Sequence, residues 1–347
     1  MTAISPAHGG PAAARDTPGH ARHVLRWVGG VWAVAAAFVV VTALWSHQVD
    51  IPLRDPAGRM FRGRLSSALV LFAILTAVDV LVRSGRGGWS VRGTVRVVRE
   101  RCSPERVALA VSGLLAYHVV YICYRNLKSW DALNTLRDDH LVDFETWLFL
   151  GNSPAVLLHD LLGQHTAAYV LMVVYKSFTY LVPLSLVAAL VFTDRIRDGY
   201  VFLTSAIWVW ILGVGSYYLI PTLGPFAASP EDFTQLPDTV ITSTQTEYLA
   251  ERAHLLADPS APDAFVSISA FASLHVAFTC MVLLMLRHYG RRRLARVMAV
   301  YLAATMLATV YFGWHYVVDD VAGVLIAVVA VFLGRRMILP RDRRATS

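Results

Sequence analysis

The stretch TAAYVLMVVYKSFTYLVPLSLVAALVF, residues 166–192, is almost entirely apolar, and Lys176 is its only charged residue. A helix needs about 20 mostly apolar residues to cross the hydrocarbon core of a bilayer, so this stretch is long enough to span a membrane. The rest of the chain has the same character, because 56% of its 347 residues are hydrophobic and only 16% are charged. That composition excludes a water-soluble domain of this length and predicts an integral membrane protein.

Seven further stretches approach the length of a membrane span: residues 27–45, 65–82, 107–124, 200–220, 272–287, 296–313 and 317–334. Lipid offers no hydrogen-bond partners to the backbone, so a span must be a helix or part of a closed barrel. These continuous apolar runs lack the alternation of polar and apolar residues that barrel strands show. The sequence therefore predicts an all-α integral membrane protein with about eight transmembrane helices.

The arginines predict how these helices are oriented. The formal charge is +7, and basic residues are concentrated in residues 83–106, 193–199, 287–296 and 335–344. By the positive-inside rule these segments, and with them both termini, are cytoplasmic in the plasma membrane. The loop at residues 46–64 then falls on the extracytoplasmic side, although four arginines make it basic, which conflicts with the same rule. Because the positive charge lies in segments that connect or follow the predicted spans, it is explained by the bilayer, and nucleic acid is not predicted as a partner.

A histidine and two aspartates interrupt the apolar run at residues 311–323, YFGWHYVVDDVAG. His315 and Asp319 are four residues apart, so a helix places them on one face, and Asp319 can accept a hydrogen bond from one ring nitrogen of His315. The other nitrogen then stays free, as in a nucleophile or a general base. The alternative is that Asp319 and Asp320 stabilise a helix N-terminus, where unpaired N–H groups and the helix dipole favour negative charge.

A second histidine, His275, opens the sixth predicted span on the side of the membrane where His315 opens the eighth. The residues between them form one helix inward and one helix back, which brings both imidazoles to the same depth. Ser273 lies at the same helix start, where its hydroxyl and the nearby N–H groups can hold an anion such as phosphate, or simply cap the helix. Together these residues predict phosphoryl transfer through a phosphohistidine, which requires no cofactor.

Two of these motifs have a family resemblance. SLHVA, residues 273–277, followed by HYVVDDVAG, residues 315–323, resembles the two signature motifs of the type 2 phosphatidic acid phosphatase superfamily. A looser resemblance over residues 115–335 is to its inositol phosphorylceramide synthase branch, which contains inositolphosphotransferases. That looser resemblance is carried by the stretches YRNLKSW, WLFLGNSP and YYLIPTLGPF.

The resemblance implies a role for each motif residue. His315 is expected to be the nucleophile, Asp319 to orient it, and His275 to act as acid and base. The enzyme is expected to be metal-independent, with a membrane lipid and the bilayer as its partners. The chain is accordingly divided into a disordered cytoplasmic tail at 1–24, two extra spans with a basic cytoplasmic loop at 25–106, a six-span lipid phosphatase or phosphotransferase domain at 107–335, and a basic cytoplasmic tail at 336–347.

The sequence departs from the superfamily at the phosphate clamp, which is a lysine, six other residues and then arginine-proline. Counted from Lys176, the arginine position is Pro183. A site with fewer cations suits a phosphodiester better than a monoester, which carries nearly twice the charge, and this favours headgroup transfer over monoester hydrolysis. Arg125 or Lys128, at the outer end of the third span, can supply the missing charge instead. The ammonium of Lys176 is costly inside a span, which predicts a functional or paired role.

The predicted function is therefore cleavage of a phosphorylated lipid at the outer membrane surface, with transfer of the headgroup phosphate to an alcohol or to water. Three alternatives remain. The same site would serve a monoester phosphatase acting on phosphatidate or on a polyprenyl phosphate. The intramembrane charges would serve a non-catalytic lipid transporter or lipid-binding protein. Two histidines and an aspartate would also hold a divalent metal. Elsewhere, Asp79 lies one turn before Arg83, which predicts an ion pair.

Overall fold

The computed structural model describes residues 18–339, and every regular element in that range is helical. The prediction of an all-α integral membrane protein is confirmed. The α-helices are α1 Pro18–Val49, α2 Arg62–Arg86, α3 Val91–Arg101, α4 Pro104–Trp130, α5 Asp138–Leu148, α6 Pro154–Leu162, α7 Thr166–Phe192, α8 Ile196–Leu219, α9 Pro225–Ala228, α10 Val240–Ala257, α11 Leu274–His288, α12 Arg292–Tyr311 and α13 Val317–Ile338. Short 3₁₀ helices lie at Pro56–Gly58, Asp131–Leu133 and Pro230–Phe233.

Seven of these helices are long and apolar enough to cross a membrane, namely α1, α2, α4, α7, α8, α12 and α13. The remaining predicted span, the sixth at residues 272–287, corresponds to α11, which has only 15 residues and is therefore about 22 Å long. It is short because the chain before it, residues 258–273, is not helical. The helix therefore begins within the bundle and not at its edge.

Two of the predicted tails fall mostly outside the described residues. The tail predicted at 1–24 is described only from Pro18 onward, where α1 already begins. The basic tail predicted at 336–347 is described only through residue 339, at the end of α13.

Successive spans run in alternating directions, which gives the helix bundle two ends. The arginine-rich end comprises residues 87–103, 193–195 and 289–291, and the loop-rich end comprises residues 131–165, 220–273 and 312–316. At the arginine-rich end, the hydroxyl of Tyr289 donates to the carbonyl of Asp198 at 2.8 Å. At the loop-rich end, the side-chain amide of Gln245 donates to the carbonyl of Phe312 at 2.7 Å.

Helix α8 is the centre of the bundle, since it packs against α4, α7, α11 and α13 and is the most buried of the spans. Small residues permit this close packing. A side chain on Gly334 of α13 would collide with Ser205 of α8, and one on Gly213 of α8 would collide with Leu274 of α11. The spans that carry the predicted histidines are thus held against one central helix.

The second of the two additional N-terminal spans, α2, is joined to the bundle by ion pairs at the arginine-rich end. Arg83 Nε lies 2.9 Å from Asp79 Oδ1, which confirms the predicted pair. Arg101 Nε lies 2.7 Å from the other oxygen of Asp79, and Arg83 also reaches Asp194, which follows α7, at 2.9 Å. These contacts connect α2 and α3 to the end of α7.

The basic loop at residues 46–64 has a local explanation. Arg54 is only 8% exposed, and its guanidinium donates to the backbone carbonyls of Pro259 and Ala264. The guanidinium of Arg64 lies 4.7 Å from the ring centre of Tyr121, as in a cation–π contact. These two arginines make contacts within the protein. Their positive charge therefore has a structural reason that is independent of the side of the membrane on which the loop lies.

Candidate active site

A cavity of about 200 Å³ lies at the loop-rich end, between α4, α7, α8, α10 and α11. It brings together residues from parts of the chain that are far apart in sequence. Five of the seven predicted site residues line it, namely Arg125, Lys128, Lys176, His275 and His315. The remaining two, Ser273 and Asp319, lie behind this lining.

His315 lies in the turn between α12 and α13 and is only 6% exposed. Its Nδ1 is 3.5 Å from Oδ2 of Asp319, and Nδ1 has no hydrogen-bond partner among the described residues. The separation exceeds an ordinary hydrogen bond because the same Oδ2 accepts the backbone N–H of Tyr316 at 3.0 Å. Asp319 therefore caps the start of α13, and the same carboxylate lies beside the imidazole without a hydrogen bond to it.

Burial lowers the pKa of His315 to about 4, against the opposing effect of the nearby carboxylate of Asp320. The imidazole is consequently neutral at neutral pH, and a neutral imidazole retains the lone pair that a nucleophile needs.

Asp320 is a second carboxylate that interacts electrostatically with His315, and sequence reasoning missed it. It is 1% exposed, and both of its oxygens accept the hydroxyl of Thr309, at 3.0 and 3.3 Å. In one continuous helix, Asp320 would point away from the face that carries Asp319 and His315. His315 precedes the first residue of α13, however, so helical spacing does not predict how close His315 lies to Asp320. The adjacent pair of aspartates was the only available signal.

His275 occupies the first turn of α11 and is half-buried. Its ring stacks on Tyr175, with centroids 4.3 Å apart and planes inclined by 24°, and its centroid lies 4.2 Å from that of Phe178. Its centroid is 6.1 Å from that of His315. The two aromatic neighbours hold the imidazole on the cavity wall, facing the second histidine.

Three cations line the same cavity, and none of them forms an ion pair with a carboxylate of the described residues. Arg125 donates from Nη2 to the hydroxyl of Ser267 at 3.1 Å, while its buried Nε has no partner there. The ammonium of Lys128 lies 5.3 Å from the ring centre of Tyr217. Lys176 is exposed. Three basic side chains beside two imidazoles are suited to bind an anion.

Ser273 is fully buried and does not line the cavity. Its hydroxyl accepts the N–H of Val276 at 3.4 Å, and its own N–H donates to the carbonyl of Asp319 at 3.0 Å. A side chain on Gly323 would meet the carbonyl of Ser273, so this glycine permits the close approach of α13 to α11. The structure shows the capping role of Ser273, and its phosphate-binding role stays a prediction.

The non-helical wall before α11 is fixed to α4 by side chains. Ser129 Oγ accepts the N–H of Val266 at 2.8 Å, and the hydroxyl of Ser269 donates to Asp131 at 2.8 Å. The side-chain amide of Asn126 forms two hydrogen bonds with the backbone of Arg54: it accepts the N–H at 2.8 Å and donates to the carbonyl at 3.0 Å. The N-terminal hairpin, α4 and this wall therefore form one connected support for the cavity.

Two carboxylates of α5 hold the turn that carries His315. Asp138 accepts the N–H groups of Leu223 and Gly224 and, at 3.0 Å, the hydroxyl of Tyr316. Glu145 accepts the N–H groups of Val317 and Val318 at the start of α13, and burial raises its pKa to about 7. The acidic residues of this segment were visible in the sequence, but nothing there indicated what they contact.

Comparison with known proteins gives one match. A family model described as the PAP2 superfamily matches residues 139–333, more than half of the chain. No curated protein and no solved structure matches the chain at significant similarity. The matched segment includes His275, His315 and Asp319 but begins after α4, so Arg125 and Lys128 lie outside it.

Proposed function

The chain belongs to the PAP2 superfamily, and we propose that it cleaves a phosphorylated lipid and passes the headgroup phosphate to an alcohol or to water. Superfamily membership supports a lipid enzyme of the phosphatase or phosphotransferase type. The single observation that carries the proposal is the cavity in which two imidazoles, with ring centroids 6.1 Å apart, lie beside three basic side chains.

The proposed reaction has two steps. In the first, Nε2 of His315 attacks phosphorus, a P–N bond forms, the bond from phosphorus to the leaving oxygen breaks, and His275 gives that oxygen a proton. In the second, His275 removes a proton from an alcohol or from water, whose oxygen attacks phosphorus as the P–N bond breaks. Asp319 stabilises the charge that His315 acquires, since its carboxylate lies 3.5 Å from Nδ1. Each step leaves both histidines ready for the next.

The proposed location follows from the arginines. Under the positive-inside rule, the arginine-rich end is cytoplasmic and the loop-rich end is extracytoplasmic. The cavity would then act on lipids of the outer leaflet of the plasma membrane.

Arg125 is proposed to bind the phosphate oxygens, because its guanidinium lines the cavity and its Nε has no hydrogen-bond partner among the described residues. Arg125→Met is expected to raise the KM of the lipid substrate about tenfold or more, since a hydrogen bond to a charged group is lost. Arg59→Met, at an exposed arginine of the α1–α2 loop, is the matched control. Steady-state kinetics in which both variants show the wild-type KM would remove Arg125 from the phosphate site.

Two observations favour different donors. The clamp position occupied by Pro183 favours a phosphodiester donor and headgroup transfer, as in inositolphosphotransferase-like enzymes. Against this, α4 supplies Arg125 and Lys128 in addition to Lys176 of α7, and three cations balance the nearly doubled charge of a monoester. The second candidate is therefore a phosphatase acting on phosphatidate or on a polyprenyl phosphate in the same site.

The test is a panel of lipid phosphomonoesters and phosphodiesters presented to the purified protein in detergent with EDTA. Free phosphate and exchange of a labelled headgroup alcohol are measured separately. Headgroup exchange or diester cleavage is expected for the transferase, whereas free phosphate from monoesters alone would establish the phosphatase. Loss of all activity in EDTA would indicate a metal site, and no turnover of any lipid would favour the transporter.

A further inference from the structure

The start of α13 is held by two carboxylates that come from different parts of the chain. Oδ2 of Asp319, the third residue of this helix, accepts the N–H of Tyr316 at 3.0 Å. Glu145 lies 172 residues before Val317, and its Oε1 accepts the N–H groups of Val317 and of Val318, the latter at 3.3 Å. The first N–H groups of a helix have no partner within the helix, so these three depend on the two carboxylates.

Asp319 also has a neighbour outside its own helix. Its Oδ2 lies 3.5 Å from Nδ1 of His315, and its Oδ1 has no hydrogen-bond partner among the described residues. Asp319 is fully buried, and a buried acceptor without a partner is costly, so this oxygen is available to any N–H group that comes within reach. The helix start and His315 therefore compete for one carboxylate.

Glu145 decides this competition, because it occupies the two N–H groups that follow the one held by Asp319. If Glu145 were removed, Val317 and Val318 would be left with N–H groups that have no partner in the protein. Acidic side chains in the first turn of a helix turn toward such free N–H groups. Asp319 would then move from the imidazole toward the start of its own helix.

We propose that Glu145 is a positioning residue, which takes over the capping of α13 so that the carboxylate of Asp319 stays beside Nδ1 of His315. The inference rests on the proposed function and adds a residue to it that does not contact the substrate. Asp319 stabilises the charge that His315 acquires as the P–N bond forms. Its position therefore affects the rate of that step and not the binding of the lipid.

Glu145 acts through the turn before α13, because it lies on the other side of this turn from the substrate. His315 lines the cavity of about 200 Å³ that contains the three basic side chains, and Glu145 does not. Glu145 lines a separate cavity of about 240 Å³, together with Tyr316. His315 and Tyr316 thus separate the two cavities, and a substitution of Glu145 leaves the lining of the first cavity intact.

The position of Glu145 is fixed by the first turn of α5. Asp138 precedes Glu145 by seven residues, about two helical turns, so both side chains lie on one face of α5. Asp138 accepts the N–H groups of Leu223 and Gly224 and, at 3.0 Å, the hydroxyl of Tyr316. Both carboxylates are buried. Helix α5 is therefore held against the turn at two points, which keeps Glu145 in place.

The test is a double-mutant cycle between Glu145 and Asp319 in the full-length protein, with whichever lipid the wild type turns over. Glu145→Met removes the acceptor at similar side-chain length and is expected to lower kcat about tenfold with KM unchanged. In the Asp319→Asn background, where position 319 carries no carboxylate, the same substitution is expected to change kcat less than about twofold. A residue with a merely structural role would lower kcat equally in both backgrounds.

Two further variants complete the experiment. Glu145→Gln keeps an acceptor oxygen at this position and is expected to lower kcat only about threefold. This smaller loss should also vanish in the Asp319→Asn background, which decides the question if Glu145→Met does not fold. Asp143→Asn alters an exposed acidic residue of the same helix and is expected to leave kcat unchanged.

Each other outcome overturns the positioning role. Equal losses in both backgrounds would leave Glu145 as a structural residue. A wild-type kcat in Glu145→Met would show that Asp319 does not need it, and a raised KM at unchanged kcat would assign Glu145 to lipid binding. An equal loss in Asp143→Asn would indicate a general effect of charge on α5. A wild-type protein that turns over no lipid would overturn the proposed function, and the inference with it.

Discussion

His315→Ala is expected to lower turnover of the lipid substrate by about 10⁴-fold or more, because no covalent intermediate forms without the imidazole. The structure assigns this side chain an environment suited to attack on phosphorus. Burial keeps the ring neutral at neutral pH, and the carboxylate of Asp319 lies 3.5 Å from Nδ1. Among the described residues, the other imidazole of the cavity, His275, has no carboxylate within ion-pair distance.

The measurement combines kinetics with trapping of the intermediate. A lipid labelled at phosphorus is mixed with the enzyme, the reaction is quenched in alkali, and protein-bound label is tested for the acid lability of a phosphohistidine. Label is expected in the wild type and in His140→Ala, which alters an exposed histidine of α5 at the same end of the bundle. Label that persists in His315→Ala, or turnover there within tenfold of the wild type, would identify another nucleophile.

His275→Ala is expected to lower turnover by about 10²- to 10⁴-fold, the range for loss of a positioned general acid and base. The loss should depend on the leaving group. A lipid alcohol must be protonated as it departs, whereas p-nitrophenolate departs without a proton, so the variant should be less impaired with a p-nitrophenyl ester than with the lipid.

The same variant provides a second readout. If His275 also activates the incoming water or alcohol, the phosphohistidine should accumulate in His275→Ala with the p-nitrophenyl ester and reach a higher level than in the wild type. An equal loss for both substrates without accumulation would reduce His275 to a positioning residue. That result would agree with its stacking between Tyr175 and Phe178 and would contradict its role in proton transfer.

The helices were predictable because each depends on a continuous segment. A run of apolar residues long enough for a bilayer must satisfy its backbone hydrogen bonds internally, so α7 and α13 follow from local sequence alone. The predicted span at 272–287 was less well defined, since the chain remains non-helical until Leu274. The reason is tertiary: Ser129 of α4 and Asp131, which follows α4 directly, hold the preceding wall in an irregular conformation through their side chains.

The candidate site was predictable only in part. The short spacing between His315 and Asp319 brings them together in any fold that starts a helix there, and the motifs around them supported the family. Two features could not be predicted from the sequence: that Asp319 caps the helix while it faces His315, and that the charge of Asp320 acts on His315. Both depend on the position of the turn before α13.

What the sequence determined by itself is the membrane-spanning helical architecture, the family and the pairing of His315 with Asp319, because these depend on composition and on spacing within one segment. Only the tertiary structure decided which cations join the histidines. Arg125 of α4 lies 150 residues before His275 in the sequence, and the two meet because both helices pack on α8. Contacts of that kind depend on side-chain packing between distant helices, which no local pattern of residues specifies.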